Sequence, residues 1–155
     1  MSPRRPALVL VGHGAADPAA RAGAPLEALA ARLAARDLFP EIHLAFLRQD
    51  PPLRPIAATT HAPSVVVVPV MAGGGALTER VLPERAGLSG RLSVRDGQRV
   101  RLTAPVGAHP GFAALLGRRA RAEAAAWGQD PAALALLLVA HGATRPQGAG
   151  REAAA

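Results

Sequence analysis

Short, uninterrupted apolar runs alternate with helix-like segments along this 155-residue chain. The clearest of these runs, at residues 7–11 and 65–68, contain no polar residue. A strand that is apolar on both faces must be covered on both faces, which is typical of a parallel sheet between two layers of helices. Leu26, Leu29 and Leu33 then follow the first run at helical spacing. The pattern therefore predicts an α/β fold.

The remaining segments extend this prediction to a three-layer sandwich. We expect a parallel sheet of about four strands with helices on both faces, because strands and helices alternate at the spacing of parallel crossovers. Asp96-Gly97 is a strong signal for a hairpin turn, so a small β-ribbon is predicted at 91–103. The other predicted elements are a strand at 41–47 and helices at 51–58, 76–84 (shortened by Pro83) and 111–127.

Composition excludes several classes of protein. The chain has no Cys, which excludes disulfides and Cys-ligated metal sites within it. No apolar run approaches the roughly 18 residues that a membrane span needs. The apolar run behind the N-terminal arginines is also too short for a signal-peptide core. The sequence therefore predicts a cytoplasmic protein with no membrane partner.

The net charge of +7 raises the question of a nucleic-acid partner. All 18 basic residues are Arg, they are scattered along the chain, and aromatic residues make up 3% of the sequence. Stacking side chains are therefore nearly absent, which disfavours nucleic-acid binding. The same positive field would favour a polyanionic small molecule.

An internal repeat suggests the domain organisation. Residues 8–15 read LVLVGHGA and residues 136–143 read LLLVAHGA. The second copy begins where one α/β lobe would end, which favours duplication over chance. We therefore expect one lobe at residues 1–130 and the start of a truncated second copy at 131–155. The alternative is that a strand at 134–139 joins the first sheet.

His13 is the leading candidate for a catalytic residue. It follows a predicted buried strand, at the carboxyl edge of the sheet where open α/β folds bind ligands. Gly12 and Gly14 flank it and would let a substrate approach closely. A neutral imidazole can bind a divalent metal or accept a proton. The competing interpretation is a histidine that only hydrogen-bonds its own loop.

The other histidines carry weaker arguments. His109 precedes Pro110 at a predicted helix start, where capping and ligand contact are both open. His43 lies within a predicted strand and His61 in a loop, so both are interpreted as structural or solvated. His141 repeats His13 and is the second candidate metal ligand.

An ordered set of short motifs resembles the CbiX/SirB-type sirohydrochlorin chelatases. Each motif is weak alone, but their order from Leu8 to Pro110 is specific. They are Val-Gly-His-Gly after the first strand, Ala45-Phe46-Leu47 before Pro51-Pro52-Leu53, Val-Val-Pro before a Gly-rich loop, Leu82-Pro83-Glu84, and Pro105-Val106-Gly107-Ala108-His109-Pro110.

The resemblance implies insertion of Co²⁺ or Fe²⁺ into sirohydrochlorin, a polycarboxylate precursor of cobalamin and sirohaem. It implies that His13 binds the metal and helps remove the pyrrole protons, with the metal as substrate and no organic cofactor. It also implies either a second lobe or a homodimer around an anionic tetrapyrrole. The residues expected to line the cleft are Gly12, Gly14, Gly73, Gly74, Gly75, Glu79 and His109.

Two positions depart from the family pattern. A second histidine is expected in the Gly-rich loop, where this chain has Leu77, and a carboxylate is expected where it has Arg48. Asp50 and Glu79 lie nearby in sequence as substitutes. One histidine alone is a poor metal site. The alternative function is therefore a non-catalytic tetrapyrrole- or metal-binding half-domain whose partner lobe supplies the missing ligands.

A His-dependent phosphatase or mutase is the nearest alternative enzyme. Such proteins usually carry Arg directly before the nucleophilic histidine, to grip phosphate. This chain has Gly12 at that position. The sequence therefore disfavours phosphoryl transfer.

Overall fold

The computed structural model describes residues 5–139, which are arranged around a five-stranded sheet. The strand order is β2-β1-β3-β5-β4. Neighbours run parallel except for β4, which pairs antiparallel with β5. The strands are β1 Ala7–Gly12, β2 Ile42–Phe46, β3 Ser64–Pro69, β4 Leu92–Arg95 and β5 Gln98–Leu102.

Residues 5–139 contain four α-helices. They are α1 Ala24–Ala34, α2 Ile56–Thr59, α3 Leu82–Ala86 and α4 Pro110–Ala126. A π-helical turn, Leu77–Val81, leads directly into α3, and 3₁₀ turns lie at Pro18–Ala20, Val106–Ala108 and Pro131–Ala133. Among residues 5–139, no helix combines the length and apolarity needed to cross a bilayer.

The interior strand β1, between β2 and β3, shows why the sequence folds this way. All six of its residues are buried, and they alternate between the two faces of the sheet. Val9 and Val11 pack in one core with Ile56 of α2 and residues of α3, whereas Leu8 and Leu10 pack in a second core with α1. Helices therefore cover both faces, and the predicted three-layer α/β class is confirmed.

The predicted β-ribbon is also confirmed. Asp96 and Gly97 form its turn with φ values of 50° and 78°. Both values lie in the left-handed region that a tight hairpin of this kind requires. The second arm of the ribbon runs on into the main sheet, because β5 pairs with both β4 and β3.

Two helix predictions need correction, and proline explains both. The helix predicted at 51–58 begins only at Ile56, because a residue before proline avoids the α region and Arg54 precedes Pro55. Pro83 does not end the helix that precedes it. The Leu82 N–H bonds the Leu77 carbonyl in π-helical fashion, and Pro83 takes the first turn of α3, where no N–H is needed.

The segment 134–139 is not a strand in this structure. Its large apolar side chains are exposed, with Leu137 at 83% and Val139 at 87%. The similar residues of β1 are buried because β1 lies between two strands, whereas 134–139 pairs with none of the described strands. His141 and the rest of the second copy lie outside the described residues, so the domain boundary at 130 stays a prediction.

A polar cluster ties the amino end of β2 to the segment before β3. Glu41 Oε2 accepts a hydrogen bond from Thr60 Oγ1 at 2.7 Å and lies 3.0 Å from His43 Nε2. The bonds from His43 and Thr60 hold the pKa of Glu41 below its ordinary value of 4.5. His43 is thus part of a structural contact, as its position within a strand indicated.

Glu41→Gln should change how stability depends on pH. Because the folded-state pKa of Glu41 is lowered, the charged carboxylate stabilises the fold above the ordinary pKa, and this contribution is lost as pH falls through the folded-state pKa. The variant should therefore unfold at lower urea than the wild type at about pH 7, and the difference should shrink by about pH 3. Leu38→Ala, at an exposed side chain that does not titrate, is the control, and its difference from the wild type should be the same at both pH values. An equal difference at both pH values would contradict the assignment.

Candidate functional site at the carboxyl edge of the sheet

The carboxyl ends of the four parallel strands meet at one edge of the sheet. Backbone hydrogen bonds join the segments that leave this edge. Val70 N–H donates to the Val11 carbonyl at 2.8 Å, and Thr103 N–H donates to the Val67 carbonyl at 3.0 Å. The loops after β1, β3 and β5 therefore start side by side, and they carry most of the predicted site residues.

His13 is exposed at this edge, directly after β1. The chain behind it is held from β2, since Leu47 N–H donates to the Gly12 carbonyl at 3.1 Å and Arg48 N–H donates to the His13 carbonyl at 2.9 Å. A fixed backbone and an exposed ring suit a residue that contacts a ligand. His13 lacks the packing or side-chain hydrogen bonds that would indicate a purely structural role within the described chain.

The two flanking glycines are required by close packing. A Cβ on Gly12 would lie 2.9 Å from the Phe46 ring. Gly14 has a φ of +71°, and a Cβ there would lie 2.6 Å from Gln49 Cβ. Any side chain at either position would push the His13 loop away from β2. These glycines are therefore explained by the placement of His13, whether or not they also contact a substrate.

The Gly-rich loop after β3 is anchored to the loop after β5. Gly107 N–H donates to the Met71 carbonyl at 3.0 Å. The two backbones approach so closely that a Cβ on Gly107 would overlap the Ala72 carbonyl group. Sequence reasoning missed this contact. The signal available was a glycine in the Pro105–Pro110 motif, but sequence gives no sign of which backbone it approaches.

Gly107→Ala should destabilise the protein and displace the Gly-rich loop. The new methyl group must push Ala72 away and break the bond to Met71, so we expect a loss of about 2 kcal/mol in the free energy of unfolding. Urea denaturation measures this loss. Gly90→Ala is the matched control, because no atom lies within 4 Å of a Cβ at Gly90. Equal stability of the two variants would show that the loops are not held together in this way.

His109 caps α4. Its Nδ1 accepts a hydrogen bond from Gly111 N–H at 3.0 Å, so one ring nitrogen is occupied at the helix N-terminus. The ring is exposed, which leaves Nε2 accessible. Of the two interpretations that the sequence left open, capping is therefore observed, and contact with a substrate stays a prediction.

A cavity of about 340 Å³ opens beside the Gly-rich loop. Gly74 and Thr78 line one side, with Glu79 on the same turn, and Arg91 and Thr103 line the β4–β5 side. Gly74 and Glu79 are thus brought together as predicted cleft residues. His13, Gly73, Gly75 and His109 do not line this cavity. The predicted residues share one edge of the sheet but not one enclosed pocket.

The described residues do not form a complete metal site. Among residues 5–139, no group of three or more His, Asp or Glu side chains is placed to hold a metal ion. Leu77, 42% exposed, begins the helical turn after the Gly-rich loop. Arg48 is exposed and has no ion-pair partner among the described residues. Directly after β1 and β2, this edge therefore offers the His13 imidazole and the Arg48 guanidinium.

A mostly parallel sheet with helices on both faces, and an exposed histidine after the interior strand β1, fits a chelatase-like α/β lobe. The family model that matches this chain is CbiX, over residues 7–123. This match spans most of the chain. The protein belongs to the CbiX family.

Solved structures agree with this assignment. A multi-domain protein from Deinococcus radiodurans, described as structurally similar to chelatases and as having two additional novel domains, matches with 34% identity and a TM-score of 0.67. The match covers 75% of this chain and 28% of the other, so this chain spans less than a third of that relative. A protein from Marinobacter aquaeolei VT8, described as a cobalamin (vitamin B12) biosynthesis CbiX protein, matches with 20% identity and a TM-score of 0.57. That match covers 80% of this chain and 99% of the other, and shows the shared fold. No curated protein matches this chain significantly.

Proposed function

We propose that this protein inserts a divalent metal, Co²⁺ or Fe²⁺, into sirohydrochlorin or a related tetrapyrrole in the cytoplasm. The observation that carries the proposal is His13, an exposed imidazole on a fixed backbone at the carboxyl end of β1 in a CbiX-family lobe. The metal and the macrocycle are both substrates, and no organic cofactor takes part.

In this proposal His13 has two roles during insertion. Its neutral imidazole ligates the incoming cation, which delivers the metal to the macrocycle as water is shed. Two pyrrole N–H protons must leave as the metal–nitrogen bonds form. The imidazole, once it has released the metal, can accept one of them, and the other passes to water. No covalent intermediate with the protein is needed.

The positive charge of the edge supports an anionic tetrapyrrole as substrate. Arg48 N–H is bonded to the His13 carbonyl, so its side chain starts beside the proposed metal position. A free, exposed guanidinium can bind a carboxylate with two parallel hydrogen bonds. Arg48 would thus hold a substrate carboxylate at a position where the family resemblance places a protein carboxylate.

A second candidate function is a tetrapyrrole- or metal-binding half-domain without turnover. The specific observation in its favour is the incomplete ligand set, with Leu77 and Arg48 at two expected ligand positions and no three-ligand group in residues 5–139. In this case a partner lobe, or a second copy of the chain, supplies the missing ligands.

We also propose that residues 134–139 open a second lobe in which His141 repeats His13. The exposure of Leu137 and Val139 supports this proposal, since a strand as apolar as β1 is stable only between neighbours. Amide hydrogen exchange of the protein as it occurs in cells tests it. Residues 134–139 should exchange about as slowly as β1 if they are paired, and fast exchange would contradict the second lobe.

Absorbance-monitored insertion of Co²⁺ into sirohydrochlorin tests the proposed function. Turnover above the spontaneous rate would establish a chelatase. If no acceleration is found, titration with metal-free sirohydrochlorin distinguishes a binding half-domain from a protein that does not bind the tetrapyrrole. Saturable binding would identify the half-domain, and absence of binding would overturn both functions. Fe²⁺ under anaerobic conditions, assayed in parallel, identifies the preferred metal.

A further inference from the structure

Strand β4 leaves one edge of the sheet open. It is the last strand in the order, and β5 is its partner. The Leu102 N–H donates to the Arg91 carbonyl at 2.8 Å, which places residues 91, 93 and 95 as the positions that bond β5. The N–H and C=O groups of Leu92 and Val94 therefore point away from the sheet. No described strand pairs with them.

The side chains along this edge fall into two distinct rows. Leu92 and Val94 lie on one face, and each is 66% exposed. Arg91 and Arg95 lie on the other face, exposed on either side of the buried Ser93. An apolar row and a cationic row thus border the same unpaired backbone edge.

The charge of the ribbon determines which partners fit. Residues 91–101 contain four arginines and one acid, Asp96, which lies 3.7 Å from Arg95. A second copy of β4 would bring the same arginines alongside, so like charges oppose pairing between copies. The ribbon has no aromatic side chain for base stacking, and its two exposed aliphatic side chains suit a protein better than a phosphate backbone.

We propose that the free edge of β4 binds an extended acidic segment of a partner protein as an added strand. The segment would alternate apolar and acidic residues. Its apolar side chains continue the row of Leu92 and Val94, and its carboxylates face Arg91 and Arg95. The outward N–H and C=O groups of Leu92 and Val94 supply the backbone hydrogen bonds.

A fluorescent eight-residue peptide of alternating valine and glutamate is the probe, and fluorescence anisotropy is the measurement. We expect saturable binding. Two control peptides should bind at least tenfold more weakly. One has the same composition with its glutamates in one block, and the other has alternate backbone amides methylated. Equal binding of the blocked and alternating peptides would reduce the effect to net charge and overturn the proposal. Tighter binding of a DNA duplex would also overturn the proposal, as would the absence of binding of the alternating peptide at about millimolar concentration.

Two variants of the protein locate the edge. Val94→Pro removes an outward N–H without removing a bond to β5, so the ribbon should persist while binding falls at least tenfold. Arg91→Glu combined with Arg95→Glu should abolish binding of the glutamate peptide and allow binding of a valine–lysine peptide. Leu115→Ala, on exposed α4, is the control. If Val94→Pro lowers the thermal midpoint, the test rests on the double variant Arg91→Glu with Arg95→Glu. A double variant that still prefers the glutamate peptide to the lysine peptide would contradict the proposal.

Discussion

Replacing His13 with alanine should reduce metal insertion to the spontaneous rate. Among the described residues, His13 is the single imidazole directly at the carboxyl end of β1, and the proposed function assigns it both metal binding and proton acceptance. Loss of general acid–base catalysis alone costs about a hundredfold or more, so we expect a decrease of at least about a hundredfold in turnover. The measurement is absorbance-monitored insertion of Co²⁺ into sirohydrochlorin.

The control for this experiment is His61→Ala. His61 is exposed and lies before β3, at the opposite end of the parallel strands, so its replacement should leave turnover unchanged. The thermal midpoint should also stay the same in His13→Ala, because the side chain is exposed and the loop is held by backbone bonds. Turnover that survives in His13→Ala would move the catalytic residue elsewhere, and an equal loss in both variants would indicate a general effect of removing imidazoles from a metal-binding protein.

The parts of the fold that sequence predicts well are those fixed by local chemistry. The β-branched run of β3 and the apolar run of β1 can be stable only inside a sheet covered on both sides, and Asp96-Gly97 supplies the positive φ values that its turn needs. These choices depend on a few neighbouring residues. The α/β class and the order of its elements could therefore be predicted.

The parts that sequence predicts poorly depend on distant neighbours. The segment 134–139 is as apolar as β1, but it has no strand beside it in the described structure, so the same kind of sequence gives a buried strand in one place and an exposed segment in the other. The contact of Gly107 with Ala72 joins two loops that are far apart in sequence. Neither outcome is encoded by a local pattern.

The candidate site also has a part that sequence predicts well and a part that it predicts poorly. The position of His13 at the edge follows from the strand before it, and the structure places it there. Whether Leu77, Arg48 and His13 meet at one metal depends on loop conformations that motif matching does not determine. The family resemblance predicts ligands at two positions, where this chain has Leu77 and Arg48.

Restoring those two positions should therefore create a tighter metal site. We expect Leu77→His combined with Arg48→Glu to bind Co²⁺ at least about tenfold more tightly than the wild type, because an imidazole and a carboxylate are added to the single imidazole of His13. Leu77 is exposed at the turn after the Gly-rich loop, and Arg48 is bonded through its backbone to His13, so both side chains can change without disturbing the core. Calorimetric titration with Co²⁺, with the visible absorption of the bound ion as a second signal, measures the gain.

The controls separate ligation from charge. Leu77→Asn with Arg48→Gln removes the same apolar and cationic groups but adds no imidazole or carboxylate, so it should bind Co²⁺ no better than the wild type. Adding His13→Ala to the double variant should cancel most of the gain, because the three ligands act on one ion. A gain that survives without His13 would show that the new ligands form a separate site. If the double variant binds Co²⁺ no better than the wild type, the three positions do not converge within this lobe. The binding half-domain, completed by ligands from a partner lobe, would then be the better account of the wild-type protein.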